Sequence, residues 1–149
     1  MKGSQKIKKV QLPVSGYNEI ILFGLVCTDP HYKIALKLNR KIGVNLKSAP
    51  PVEISDAPGK DLIFTLFSDT TSLHDVSLHF LSNRSGADFL LRKLGNIDYL
   101  LEIYDPSKVC FSLDLIAKLR EIDTVTAVFK IDLNTIKDKN LKFLFALLN

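Results

Sequence analysis

The sequence predicts an α+β domain, a mostly antiparallel sheet with two or three helices packed on it. Three observations lead there. The run Ile20-Ile21-Leu22-Phe23-Gly24-Leu25-Val26-Cys27 is apolar on both alternating faces and reads as a central strand. Two β segments in the middle of the chain flank a short polar turn, the mark of a hairpin, which argues against a doubly wound parallel sheet. Two stretches, one after Pro30 and one after Ser112, carry apolar residues at helical spacing.

Each element has its own warrant. Val10, Leu12 and Val14 alternate before Ser15-Gly16, which suggests a short first strand. After the central strand, Thr28-Asp29-Pro30 opens a helix: Asp29 suits a cap for free N–H groups and Pro30 the first helical position. That helix runs to about Ile42 and stops at Gly43, a residue that tolerates positive φ. Tyr32, Ala35, Leu36, Asn39 and Ile42 are expected on its inner face, with Lys33, Lys37, Arg40 and Lys41 on the other. Ser48-Ala49-Pro50-Pro51 and Ser55-Asp56-Ala57-Pro58-Gly59 read as surface loops, with an extra short strand near Val52–Ile54. Leu62 to Phe67 and Val76 to Leu81 form the hairpin. In the second strand Val76, Leu78 and Phe80 face one side, and Asp75, Ser77 and His79 the other, solvated side. Tyr99 to Tyr104 is a further strand, ended by Asp105-Pro106-Ser107. Ser112 caps the second helix, whose inner face holds Leu115, Ile116, Leu119 and Ile122. Val125, Ala127, Phe129 and Ile131 alternate in the following strand. Leu133, Ile136, Asn140, Leu144 and Leu147 suit a closing helix, while Leu141, Phe143, Phe145 and Leu147 suit a strand; helix is the expectation. The resulting order is β-β-α-β-β-β-α-β-(α).

Size and composition agree with such a domain. A chain of 149 residues, 46% hydrophobic and 24% charged, buries roughly 68–70% of its unfolded surface and needs no disulfide or metal to hold it. The expected organisation is a basic flexible tail over 1–9 and one domain over 10–149. No apolar segment approaches the roughly 20 residues that a membrane-crossing helix requires, and no targeting segment is recognised. Cys27 and Cys110 both sit among apolar neighbours and read as free, buried thiols of a cytoplasmic protein. The charge is uneven. Residues 1–47 hold nine lysines and arginines against only Glu19 and Asp29, while the remainder is net acidic. A basic third attracts nucleic acid or an acidic partner, or else forms a solubilising tail and one solvated helix face.

Chemistry-bearing patterns are sparse. The glycines stand singly, so no phosphate loop forms, and there is no nucleophile elbow and no zinc-type cysteine pair. His74 and His79 with Asp75 point in different directions from a turn and a strand, and His31 belongs to a helix's first turn. No catalytic set, cofactor or metal is expected. The candidate binding residues are Tyr32, Asn39, Asp98 and Tyr99; the candidate basic surface is Lys33, Lys37, Arg40 and Lys41. Asp98 can hold backbone N–H groups at a strand entry, while the Tyr99 phenol reaches a helix or loop. Asn39, polar where packing favours apolar, needs partners if buried; it bonds backbone at the helix–sheet junction or lines a ligand pocket.

The run from Phe23 to Asn39, together with Leu46-Lys47, Leu81-Ser82-Asn83, Asp98-Tyr99 and Asn140-Leu141-Lys142-Phe143, resembles the IPExxxDY family of small bacterial proteins. The resemblance covers most of the chain after the basic tail. Where the family's Ile-Pro-Glu precedes Asp-Tyr, this chain has Leu90-Leu91-Arg92-Lys93-Leu94, so a function depending on that glutamate is absent or altered here. The family has no established activity to carry over, so the resemblance implies domain extent and class. The functional expectation is a non-catalytic interaction or scaffold domain whose partner is another protein or a second copy. Weak nucleic-acid binding through the basic third, and a small-molecule site or enzyme pocket near Tyr32, Asn39, Asp98 and Tyr99, are the alternatives.

Overall fold

The computed structural model describes residues 19–73, 75–106 and 115–148. The expected strand at Val10, Leu12 and Val14, the tail lysines, His74, Cys110 and the cap at Ser112 lie outside them.

The α+β class holds. The elements are β1 (Ile20–Cys27), α1 (His31–Ile42), β2 (Lys47–Ala57), β3 (Lys60–Asp69), β4 (Ser77–Ser82), β5 (Arg84–Ser85), β6 (Asp88–Phe89), β7 (Tyr99–Tyr104), α2 (Leu115–Arg120), β8 (Val125–Ile131) and α3 (Leu141–Ala146). A 3₁₀ turn at Arg92–Leu94 precedes β7. Six strands form one sheet in the order β2-β3-β4-β7-β1-β8, every neighbouring pair antiparallel; β5 and β6 pair separately. The expected hairpin is β3–β4, with Leu66 opposite Leu81 and Phe67 opposite Phe80.

The doubly apolar β1 earns its central place between β7 and β8. One face of the sheet packs Phe23, Leu25, Leu78, Phe80, Leu101 and Ile103 against Ile34 and Leu38 of α1 and Leu115 and Leu119 of α2. The other packs Leu22, Phe64, Leu81 and Leu100 against Leu90, Leu91 and Ile97 and against Leu141 and Leu144 of α3. The sheet thus lies between two separate apolar layers. Gly24 permits the second: a Cβ there would stand 2.9 Å from the Ile97 side chain and 3.0 Å from Ile131, so a bare backbone lets Ile97 lie flush on β1.

Several local expectations are corrected. Ser48-Ala49-Pro50-Pro51 belongs to β2, an eleven-residue edge strand. Proline is tolerated there because an edge strand has a side with no ladder to feed, and the register shifts between Ala49 and Val52. The hairpin turn is confined to Pro58-Gly59, with Gly59 at φ 77°. On α1 the buried stripe is Ile34, Ala35 and Leu38; Tyr32 and Leu36 are 56% and 53% exposed. Choosing Ile34 and Leu38 over Tyr32 and Leu36 buries two full aliphatic side chains, each worth about 1.5–3 kcal/mol, and leaves the phenol wet. Asp29 does not cap α1. Pro30 holds the cap position without a side-chain bond, its carbonyl accepting from the Lys33 and Ile34 N–H groups. The helix ends as expected at Gly43, with φ 71° and its N–H bonded to Asn39 O. The alternation in β8 does not give a buried row. Val125 and Val128 are buried while Phe129 is 45% exposed, because the β1–β8 register shifts at Val26/Cys27 and the strand lies at the sheet's edge. The closing segment is helical over Leu141–Ala146 only, after turns at 133–135 and 139–140.

Candidate functional site

The densest polar cluster of the described residues lies where β1 hands over to α1. The turn Thr28-Asp29-Pro30 brings Asp29 over α1 and beside the segment that enters β8. Lys37, two turns along the helix, reaches Asp29 Oδ2 at 2.8 Å, Asp123 Oδ1 at 3.1 Å and Thr124 Oγ1 at 3.2 Å. Thr124 Oγ1 donates to Asp29 Oδ2 at 2.6 Å and receives the Cys27 thiol at 3.7 Å. The hydrogen bond from Lys37, then that from Thr124, holds the Asp29 carboxyl below its ordinary value. Reciprocally, Asp29 and then Asp123 hold the Lys37 ammonium above its own. Opposite charges at hydrogen-bond distance favour both charged forms.

Asp98 and Tyr99 close the same corner from β7. Asp98 Oδ2 accepts the Cys27 N–H at 3.0 Å, and its Oδ1 accepts Arg84 Nε at 2.6 Å. The Arg84 guanidinium also lies 4.8 Å above the Phe89 ring. Tyr99 donates its hydroxyl to Asp29 O at 2.6 Å and stacks on Phe80. Burial first, then the nearby Cys27, Asp98 and Asp29, pushes the phenol up to about 12. It is a fixed donor, not a titrating acid.

Of the four candidate binding residues, then, Asp98 and Tyr99 meet at this corner. Asn39 stands at the other end of α1, where its Oδ1 accepts the Leu46 N–H at 2.7 Å and its Nδ2 donates to Leu46 O at 3.2 Å. Tyr32 points outward, its ring edge-on to His31 at 6.1 Å. The candidate basic surface divides as well. Lys37 is held as described and Lys41 pairs with Glu121 at 3.2 Å, whereas Lys33 and Arg40 make no ion pair with a described residue. A shallow groove of about 450 Å³ lies between Lys37, Arg40 and Lys41 on α1 and Glu121, Ile122 and Asp123.

Two polar features escape a reading of the sequence. Asn83, fully buried, donates through Nδ2 to Leu94 O at 3.0 Å and Ile97 O at 3.1 Å, while its Oδ1 accepts the Leu91 N–H at 2.9 Å. It organises the segment between β6 and β7. An asparagine after an apolar strand carries no sign of this, since its partners are main-chain atoms eight to fourteen residues on. His79, expected on a solvated face, is buried at 4% exposure and faces Glu102, at 1%, across the β4–β7 pair. Nδ1 and Oε1 stand 3.4 Å apart, longer than a well-formed N–H···O bond. The reason is register: α3 and the 90–97 segment cover the face that sequence alternation alone leaves open. Burial pushes the Glu102 carboxyl above its ordinary 4.5, against the lowering pull of His79. A second groove, of about 560 Å³, is lined by Thr70, Ser77, Tyr104 and Leu148 among others; His79 and Glu102 do not line it.

The corner and the buried pair define a class: an antiparallel α+β domain whose polar clusters tie its own elements together. Among the described residues no three of His, Cys, Asp and Glu gather as metal ligands, and no helix is long and apolar enough to cross a membrane. Compared with known proteins, the chain matches no protein-family model and no curated protein.

Proposed function

We propose that this chain is a non-catalytic interaction domain that docks a protein partner on the outer face of α1. The observation that carries this reading is the pair Tyr32 and Leu36, one helical turn apart and both more than half exposed, flanked by Lys33 and Arg40. An apolar centre with a cationic rim suits a partner surface that offers an apolar side chain among carboxylates. The polar residues of the β1–α1 corner support the same reading, because their hydrogen bonds already go to Asp29, Thr124 and main-chain atoms of this chain. Nucleic acid ranks lower, since Lys37 and Lys41 are neutralised by Asp29, Asp123 and Glu121. A cytoplasmic setting is supported by the buried free thiol of Cys27. Kinship with the IPExxxDY family rests on the sequence resemblance alone.

Selection from a displayed random-peptide library tests the reading. Enriched peptides should carry an apolar residue among Asp and Glu, and Leu36→Ala should weaken their binding at least about tenfold, equivalent to roughly 1.4 kcal/mol. Peptides bound equally well by Tyr32→Ala, Leu36→Ala and the unaltered chain would remove α1 as the docking face.

A further inference from the structure

The two edges of the six-stranded sheet are built differently. The β2 edge carries Pro50, Pro51 and two register shifts, devices that keep a strand from pairing outward. The β8 edge, Val125-Thr126-Ala127-Val128-Phe129-Lys130-Ile131, has no proline and a single register shift, near its start at Thr126, beyond which it runs regularly and carries an exposed phenylalanine. No described strand pairs with its outer side.

The ladder says which groups face out. The Asp105 N–H donates to Glu19 O in the register that pairs Ile20 with Tyr104. Odd-numbered residues of β1 therefore bond β7 and even-numbered ones bond β8. The β8 partners of Leu22, Gly24 and Val26 are Ile131, Phe129 and Ala127, so these three turn their main chain inward. The N–H and C=O groups of Val128 and Lys130 are left on the open edge. Phe129 stands on the face of α3, beside Ile131 and opposite Gly24.

We infer that β8 pairs antiparallel with β8 of a second copy of this chain about a two-fold axis at Phe129, joining two sheets into one. A strand edge meets its own copy antiparallel without needing a second complementary sequence, which is the isologous arrangement of two-fold dimers. The register follows from charge and packing. An axis at Lys130 sets like charges directly opposite. One at Val128 leaves each Phe129 against Ala127. At Phe129, Val128 and Lys130 exchange main-chain bonds with Lys130 and Val128 of the second copy. The two rings then meet at a non-hydrogen-bonded pair, where side chains approach most closely. One seven-residue edge falls short of the roughly 800 Å² per partner of a standard interface, so the dimer is concentration-dependent, on the order of micromolar.

Phe129 and the α1 docking residues lie on opposite faces of the sheet, so this pairing and the α1 reading fail separately. Sedimentation equilibrium of the full chain from about 1 to about 300 µM reads it. The unaltered chain should shift from monomer to dimer. Phe129→Lys and Phe129→Glu should each raise the dissociation constant at least about tenfold, and an equimolar mixture of the two should recover a heterodimer. Lys130→Pro, which removes an outward N–H and none of the bonds to β1, should weaken pairing with an unchanged far-ultraviolet spectrum. Tyr32→Ala and Leu36→Ala should leave it untouched. A chain that stays monomeric throughout overturns the inference. So does a mixture that fails to recover, or a monomer whose Val128 and Lys130 amides resist hydrogen exchange because something else occupies the edge.

Discussion

Glu102 is the residue at which burial and charge conflict most sharply. A carboxylate removed from water needs several hydrogen bonds or a well-placed cation, and what Glu102 has is His79 at 3.4 Å. Burial prevails, so the folded state binds its proton more tightly than the unfolded chain does. The stability this gives is complete below the ordinary glutamate value and is lost as pH rises through the raised one. Glu102→Gln keeps the shape and removes the titration, and its amide N–H can donate to His79 Nδ1. The variant should melt higher than the unaltered chain at about pH 7 to 8, with the gap closing toward about pH 4. Parallel melting profiles across that range would mean that Glu102 is as well solvated folded as unfolded. Nothing in Tyr99-Leu100-Leu101-Glu102-Ile103 announces this tension; a charged residue amid apolar ones reads as the wet side of a strand until the covering layer is known.

Among the elements, legibility followed how much of the hydrogen bonding is local. Helix α1 was readable from Pro30 to Gly43 because its start and stop depend on backbone geometry at single residues. Its rotation was not, since the choice between Tyr32–Leu36 and Ile34–Leu38 is settled by β4 and β7, distant in sequence. Strand β2 was hidden by Pro50-Pro51, which signal a loop unless the strand is already known to lie at an edge. Asp98 and Tyr99 were recognisable as a strand entry with work to do, but the residues that complete that corner, Thr124 in a turn and Arg84 in the two-residue strand β5, have no pattern of their own. Helix α2 is the clearest test of a face read in advance. Leu115, Leu119 and Ile122 are buried as its spacing requires, with Ile116 packed at the margin. Leu119→Ala should cost about 2–5 kcal/mol, the range for emptying a fully enclosed leucine site. Urea melts of both proteins would measure it, and a loss below about 0.5 kcal/mol would show that the site closes around the gap.

At the scale of the molecule, the antiparallel class was visible in the hairpin and in the doubly apolar strand, while the strand order was not, because it is set by pairings across most of the chain. The position of β1 has a consequence for the way this protein comes into being. Its neighbours are β7, some 80 residues downstream, and β8, more than 100 downstream. A nascent chain therefore carries its most apolar segment off the ribosome well before either flanking strand has been made. Such distant closure is slow, because loop entropy is lost before any pairing offsets it. Refolding from urea should accordingly take milliseconds to seconds rather than microseconds, as stopped-flow tyrosine fluorescence would record. Microsecond refolding would mean that β1 finds a nearer provisional partner. Throughout that interval Ile20–Cys27 is an exposed, adhesive ribbon, and holding it apart from other chains falls to dilution or to a chaperone.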